Sequence, residues 1–221
     1  MTATAPETRQ GTPPAGPGSQ PPGRRERKKQ RTREALVDAA FTLFAEKGFD
    51  ATTVEEIADA VDVSSRTFFR YFASKEDVAL TFQEEQTRAV MAALAERPPD
   101  EPIMTALRRT VVEIARACER GELGFDPDRF QCLLSMMSDS PTLMAGSLEH
   151  AQKKQQLLTQ IIAERMGTDP ATDLRPHVIA ASATCGFQAA SDVARRHEGA
   201  FGSLSETIDQ AFAILEQGLN S

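Results

Sequence analysis

The chain has 221 residues, of which 40% are hydrophobic, 6% aromatic and 26% charged. This length allows one small domain and one larger domain. The formal net charge is −7, but it is unevenly distributed. Residues 1–33 carry eight Lys or Arg and two Glu, a balance of +6, whereas residues 34–221 have a balance of −13. The positive charge is therefore concentrated at one end, where it can attract a polyanion.

Several classes of protein are disfavoured by the sequence. No run of about twenty apolar residues is present, so we expect no membrane span. The amino terminus lacks an apolar signal segment, and the three cysteines form no close-spaced pair, so we expect a cytoplasmic protein. The three histidines are far apart, and no nucleophile, paired-carboxylate or metal-ligand motif stands out. We therefore predict no enzymatic activity, no cofactor and no metal.

The first 33 residues divide into two segments. Residues 1–23 contain six Pro and four Gly with almost no large apolar groups, which predicts a disordered tail. Residues 24–33 form a basic arm with seven basic residues and one acidic residue. Such an arm can displace counterions from duplex DNA or enter its minor groove, although a merely solvated segment is the alternative. The arm residues predicted to contact DNA are Arg24, Arg25, Lys28, Lys29 and Arg31.

The next elements predict a three-helix head. A helix over about 32–47 carries one apolar stripe and ends at Gly48. Thr53 and Glu56 form a capping box before a second helix. Residues 62 and 63 make a short turn in which Asp62 can supply the positive φ that a sharp crossing requires. Ser64 then caps a third helix, and this spacing is typical of a helix-turn-helix that binds duplex DNA.

The third helix has two different faces. Phe68 and Phe72, four residues apart, point inward, while Ser65, Arg66, Phe69 and Arg70 fall on the opposite side. Outward and amino-terminal positions of such a helix reach base edges in the major groove. We therefore predict base contacts for Ser65, Arg66, Thr67 and Phe69. Ser64 and Arg70 complete the predicted recognition surface.

After Ser74, which caps a fourth helix, the pattern changes to longer helices separated by Pro and Gly, without any alternating strand pattern. The fold class is therefore predicted to be all-α. The fourth helix runs toward Glu96, and the last two span roughly 173–197 and 204–219. The first of these two is rich in Ala and Gly, which permits close approach of another helix.

Residues 30–78 closely resemble the amino-terminal domain of the TetR family of transcriptional regulators. The resemblance includes the run LFAEKGFDATTVEEIADAVDVSSRTFFRYFASKED. The main departure is Asp62, where the family usually has Gly. The resemblance implies a DNA-binding domain over 34–78, followed by a helical ligand-binding and dimerisation domain over 79–221. It also implies phosphate contacts from Thr53, Tyr71 and Lys75, although a Tyr71 ring packed between helices is an equal alternative.

The resemblance implies a homodimer on a palindromic operator, built by the last two helices and their copies. It further implies a cavity in the body for a small-molecule inducer. The Arg129 region and the step 140–143 resemble a branch of the family with acyl-CoA-like ligands. Candidate cavity residues are apolar side chains that are otherwise plain core, namely Phe130, Leu134, Met137, Met144 and Phe187.

These inferences predict a homodimeric repressor that an inducer releases from its operator. Two alternatives stay open at this level: a transcriptional activator and an architectural DNA-binding dimer without a ligand. A change in DNA affinity on addition of a small molecule would exclude the architectural dimer.

Overall fold

The computed structural model describes residues 23–197 and 200–218, except for the side chains of 138 and 144–150. Nearly all of the predicted tail lies outside the described residues. The described residues form nine α-helices and no strand, which confirms the all-α prediction. Their bounds are α1 Arg24–Lys47, α2 Val54–Asp59, α3 Ser65–Phe68, α4 Lys75–Glu96, α5 Ile103–Arg120, α6 Pro127–Asp139, α7 Pro141–Met166, α8 Arg175–Arg196 and α9 Leu204–Gln217.

The basic arm is not a separate segment. Helix α1 begins at Arg24, immediately after Gly23, and continues without interruption to Lys47. The predicted start near residue 32 was therefore about two turns late. Arg, Lys, Gln and Glu all have good helix propensity, and the segment contains no Pro or Gly to stop the helix. The arm residues are consequently presented on a helical surface.

The head is a small three-helix unit formed by α1–α3. Leu36, Ala40, Ile57 and Phe68 are completely buried at its centre. Asp62 adopts φ = 54° in the turn between α2 and α3, as predicted from the need for a left-handed residue. Helices as short as α2 and α3, with 6 and 4 residues, cannot persist alone, so their position depends on this core and on their caps.

Helix α4 connects the head with the body, and the core does not break between them. Val78 and Ala79 at its start pack with the head, while Phe82 contacts the rings of Phe125 and Phe130 at centroid distances of 5.7 and 6.2 Å. The division predicted at residue 78 thus falls within one continuous hydrophobic cluster. The head and this part of the body therefore share one packed core.

A second hydrophobic cluster is formed mainly by α5, α7, α8 and α9. Helices α8 and α9 approach so closely that a Cβ atom on Gly186 would lie 2.7 Å from Cδ1 of Leu215. Arg108 on α5 binds Asp209 on α9 through two hydrogen bonds of 2.8 and 3.0 Å. The small residues of α8 therefore serve packing within the chain as well as any outer surface.

In the part of the chain that the structure describes, no helix is long and apolar enough to cross a membrane. No group of three potential metal ligands among His, Cys, Asp and Glu occurs there either.

Candidate functional site

The start of α2 is fixed by a reciprocal cap. The Thr53 hydroxyl accepts the backbone N–H of Glu56 at 3.3 Å, and the Glu56 carboxylate accepts the backbone N–H of Thr53 at 2.9 Å. Lys47, at the end of α1, also forms an ion pair with this carboxylate. The hydrogen bond from Lys47, followed by those from Thr53, lowers the pKa of Glu56 to about 2. One carboxylate thus holds α2 against α1.

The predicted third helix is shorter than expected, because α3 ends at Phe68 and residues 69–71 form a turn, but Phe68 and Phe72 still point inward. Ser64 caps the helix by accepting the backbone N–H of Thr67 at 3.2 Å. Phe68 is completely buried, whereas Phe69 is 55% exposed, and Arg66 and Arg70 are exposed. An aromatic ring as exposed as that of Phe69, near exposed arginines in sequence, is unusual for a surface that contacts only water. Guanidinium groups can bond guanine edges or phosphates, and the ring can contact a thymine methyl.

Tyr71 lies beside Arg70. The guanidinium carbon of Arg70 is 5.3 Å from the centroid of the Tyr71 ring, and its Nη2 is 3.5 Å from the phenolic oxygen. Ser65, Thr67 and Tyr71 are partly buried. Arg70 and Tyr71 therefore contact each other, and the contacts of these residues with DNA stay a prediction.

Lys75 has an internal role that the sequence did not predict. Its ammonium donates to the backbone carbonyls of Phe49 at 2.8 Å, Asp50 at 3.2 Å and Thr52 at 2.9 Å. It also lies 4.5 Å from the centroid of the Phe49 ring. These contacts use all three N–H donors. Lys75 therefore ties the start of α4 to the α1–α2 corner, and it would have to exchange one of these bonds to bind a phosphate.

The basic residues at the start of α1 occupy two faces. Arg24, Arg27, Lys28 and Arg31 follow the spacing of one helix face and border a shallow surface recess. The sequence-based prediction omitted Arg27, which belongs to this stripe. The other face carries basic residues at positions 25, 29 and 33, four residues apart. Arg33 lies 5.0 Å above the ring of Phe72, so this second face is on the side of the segment that follows α3.

A cavity of about 500 Å³ lies in the body and is lined by residues of the six helices α4 to α9. The walls from α5, α6 and α9 are mainly apolar, and those from α4 and α8 are mainly polar. Four of the five predicted cavity residues line it together, whereas the side chain of the fifth, Met144, lies outside the described residues. The four residues are Phe130, Leu134, Met137 and Phe187. Binding of a ligand there stays a prediction.

The sequence-based prediction missed the polar groups of the cavity. Lys154, on α7, lines it and is partly buried. Burial lowers the pKa of the Lys154 ammonium to about 8, an effect that the nearby charge of Glu84 partly opposes. Gln86 also lines the cavity and donates to the sulfur of Cys118 at 3.2 Å. In sequence, Lys154 belongs to a polar run that is typical of a solvated helix face, so only the tertiary structure reveals its position.

Helix α6 contacts both the cavity and the head. Phe130 and Met137 face the cavity, while Arg129 forms an ion pair with Asp38 of α1. At the other end of α6, the Ser140 hydroxyl donates to the Asp50 carboxylate at 2.9 Å. Helix α6 therefore connects the wall of the cavity with the head.

Three arginines of α5 and α6 lie outside the cavity. Arg108 pairs with Asp209 and Glu216, and Arg109 pairs with Glu101. Neither they nor Arg129 line the cavity. Their charges already face carboxylates.

Comparison with known proteins agrees with this arrangement. Residues 36–81 match the family of bacterial regulatory proteins of the tetR family, and residues 101–220 match the MftR C-terminal domain. The HTH-type transcriptional regulator TcmR of Streptomyces glaucescens is 40% identical over 161 residues, which cover 72% of this chain and 71% of TcmR. The mycofactocin biosynthesis transcriptional regulator MftR of Mycobacterium tuberculosis is 25% identical over 194 residues, covering 88% and 94% of the two chains.

Solved structures show the same fold. SmeT, the repressor of the Stenotrophomonas maltophilia multidrug efflux pump SmeDEF, aligns with a TM-score of 0.54 and 17% identity, over 81% of this chain and 86% of SmeT. Thermus thermophilus FadR, a repressor solved with lauroyl-CoA, aligns with a TM-score of 0.55 and 23% identity, over 86% and 95% of the chains. The capped helix-turn-helix, the helical body and these matches together show that the chain belongs to the TetR family of DNA-binding transcriptional regulators, with an MftR-type C-terminal domain.

Proposed function

We propose that this regulator is a homodimeric repressor that binds a palindromic operator in the cytoplasm and leaves it when a small molecule fills the cavity. The proposal rests on one observation, namely that α4 and α6 connect the cavity with the head. Both helices line the cavity and both contact the head, α4 through the continuous core and α6 through Arg129 and Ser140. Occupation of the cavity can thereby change the position of the recognition surface.

A release mechanism requires the ligand to prefer the state that does not bind DNA. A preference of about 3 kcal/mol would weaken operator binding roughly a hundredfold. The cavity volume of about 500 Å³ is in the range of sites for small organic molecules. SmeT and FadR, which share the fold, are both described as repressors, and FadR was solved with an acyl-CoA.

The outward surface of α8 supports the dimer. Val178 is 52% exposed, and Cys185 and Ala189 on the same face are exposed as well. Ile214 on α9 is 55% exposed. Small residues around apolar ones let a second helix pack closely, and a two-fold pair of heads would read two half-sites instead of one. We therefore place the two-fold contact on α8 and α9.

Selection of bound fragments from a sheared genome would test the operator. The proposed dimer should enrich inverted repeats whose half-sites are separated by about one helical turn, roughly 10 bp, or a multiple of it. Enrichment of isolated, asymmetric half-sites would contradict a two-fold dimer on DNA.

The selected operator then permits a test of release. Compounds that raise the melting temperature of the free protein are identified first, because binding to the folded state stabilises it. These binders should reduce the affinity for the labelled operator. Cavity binders that leave DNA affinity unchanged would contradict release and favour the architectural dimer. A reporter gene behind the operator distinguishes repression from activation, since deletion of the regulator should raise expression in the first case and lower it in the second.

The family consists of transcriptional regulators, which confirms the sequence-based prediction that the chain is not an enzyme.

A further inference from the structure

We infer that Lys154 is the anion-recognition residue of the cavity, and that the cavity takes an apolar molecule bearing a single carboxylate. This inference rests on the proposed function in one respect, namely that the cavity is the effector site. It assigns a chemical class to the ligand, which neither the family match nor the likeness to solved structures does.

The position of Lys154 directs its side chain toward the cavity. Ala151, Lys154 and Leu158 all line the cavity from α7, and their spacing of three and four residues places them on one helix face. Leu158 is buried and Lys154 is partly buried. The ammonium is therefore presented to the cavity from the middle of an otherwise apolar face.

Most of the other donors that line the cavity are already used. The hydroxyls of Thr87, Thr184 and Ser191 donate to backbone carbonyls of their own helices at 2.8, 2.8 and 2.9 Å. Gln86 donates to Cys118. Arg195 forms an ion pair with Asp192, which lines the cavity beside it. The three hydroxyl oxygens can still accept hydrogen bonds but have no free O–H for a ligand anion, and the charge of Arg195 is already paired.

Lys154 differs from these groups. Its ammonium forms no hydrogen bond or ion pair with another residue that the structure describes, and Glu84 acts on it only through the electrostatic field. A partly buried cation without a hydrogen-bond partner is poorly solvated, and burial accordingly lowers its pKa. A ligand carboxylate would supply the missing acceptor and the opposite charge at once. Such charge-assisted hydrogen bonds are among the stronger contacts available to a protein.

The charge of the cavity indicates one anionic group. Lys154 and Arg195 are the cations among the described residues that line it, and Arg195 is already paired. A ligand with several phosphates would leave most of its charge uncompensated there. The remaining wall, from α5, α6 and α9, is apolar and suits a hydrocarbon or aromatic body.

The test compares matched pairs of probes by isothermal titration calorimetry at pH 7. Dodecanoate is compared with dodecanol, and 9-anthracenecarboxylate with 9-anthracenemethanol, so that only the carboxylate differs within each pair. The variants are Lys154→Met, which keeps the length without the charge, and Lys153→Met as the matched control on an exposed neighbour. In wild type we expect at least one carboxylate to bind about tenfold or more tightly than its alcohol, the factor that corresponds to 1.4 kcal/mol. Lys154→Met should remove that preference and leave alcohol binding within about twofold, whereas Lys153→Met should retain it.

Three results would overturn the inference: no carboxylate preference in either pair, an equal preference in Lys154→Met, or tight binding of lauroyl-CoA that Lys154→Met does not affect. Lys154→Met should also fold and be at least as stable as wild type at pH 7, because it removes a partly buried charge that has no hydrogen-bond partner. The proposed function is measured separately, by operator anisotropy. Carboxylate binding through Lys154 without loss of operator affinity would contradict inducible release and leave the ligand assignment intact.

Discussion

Glu56 holds the first helix of the helix-turn-helix from two sides, through the Thr53 cap and through Lys47 of α1. Its pKa is lowered to about 2 from an ordinary value of 4.5. A carboxyl group with a lowered pKa in the folded state contributes stability that is present above the unfolded pKa. That stability is lost as the pH falls toward the folded pKa.

Glu56→Gln should therefore reduce stability at pH 7 and flatten the acid limb of the stability curve between about pH 4.5 and pH 2. Urea denaturation at a series of pH values measures this. Glu55→Gln, on the same helix and exposed, is the control and should follow the wild-type curve. An acid limb of Glu56→Gln as steep as that of wild type would show that the cap and ion pair do not stabilise the head.

Substitutions of Lys75 and of Arg66 should affect different properties, protein stability in the first case and DNA recognition in the second. Lys75→Met removes the three bonds to carbonyls and should lower the free energy of unfolding by about 2 kcal/mol, within the usual range for hydrogen bonds to a charged group. Arg66→Ala, at an exposed position, should change it by less than about 0.5 kcal/mol. It should instead cost roughly 1–3 kcal/mol of discrimination between the operator and random DNA. A stable Lys75→Met variant that weakens binding to both DNAs would restore the purely phosphate-binding role.

At the scale of elements, the structure shows where sequence patterns suffice. Caps are local, because Thr53, Ser64 and Ser74 each bond a backbone N–H three residues later, so the starts of α2, α3 and α4 could be predicted. The positive φ of Asp62 was predictable for the same reason. The start of α1 was placed too late because its basic composition was interpreted as an arm although it also favours a helix.

The internal role of Lys75 and the cavity position of Lys154 could not be predicted. Both depend on contacts between residues far apart in sequence, since Lys75 binds carbonyls 23 to 26 residues away. The four predicted cavity residues were found through family resemblance, and nothing in their spacing distinguished them from ordinary core.

The two basic faces of α1 should contribute unequally to DNA binding. Arg25 and Lys29 lie on the same face of α1 as Arg33, whose guanidinium packs on the ring of Phe72, four residues after the end of α3. The double variant Arg25→Ala/Lys29→Ala should therefore lower the slope of log affinity against log salt by close to 2, because each phosphate that a side chain neutralises adds about 0.9 to that slope. Arg24→Ala/Lys28→Ala removes the same charges from the other face and should have a smaller effect. Equal slopes for the two variants would show that the orientation of α1 does not matter.

At the scale of the whole molecule, the proposed repressor acts as two copies of the chain. Ala189→Glu places a charge on the proposed two-fold surface of α8 and should shift the protein from dimer to monomer in sedimentation velocity. Operator affinity should fall with it, roughly a hundredfold, because one head contacts only one half-site. Ala95→Glu, at an exposed position of α4, is the matched control. A dimer that persists in Ala189→Glu would place the interface elsewhere.

The arrangement of the molecule joins a recognition surface, a cavity and two connecting helices in about 200 residues. The head alone would bind DNA weakly, and the cavity alone would bind a ligand without consequence. In the proposed function, regulation depends on α4 and α6, which contact both.

The most direct test of this account is fluorescence anisotropy with the full-length protein on the intergenic DNA that flanks its own gene and on random duplex, across a salt series. We predict tight binding to the flanking DNA, weak binding to random duplex, and a steep loss of affinity for both with increasing salt. Equal, weak binding to both duplexes, together with no enrichment of any sequence from the genome, would contradict a sequence-specific regulator.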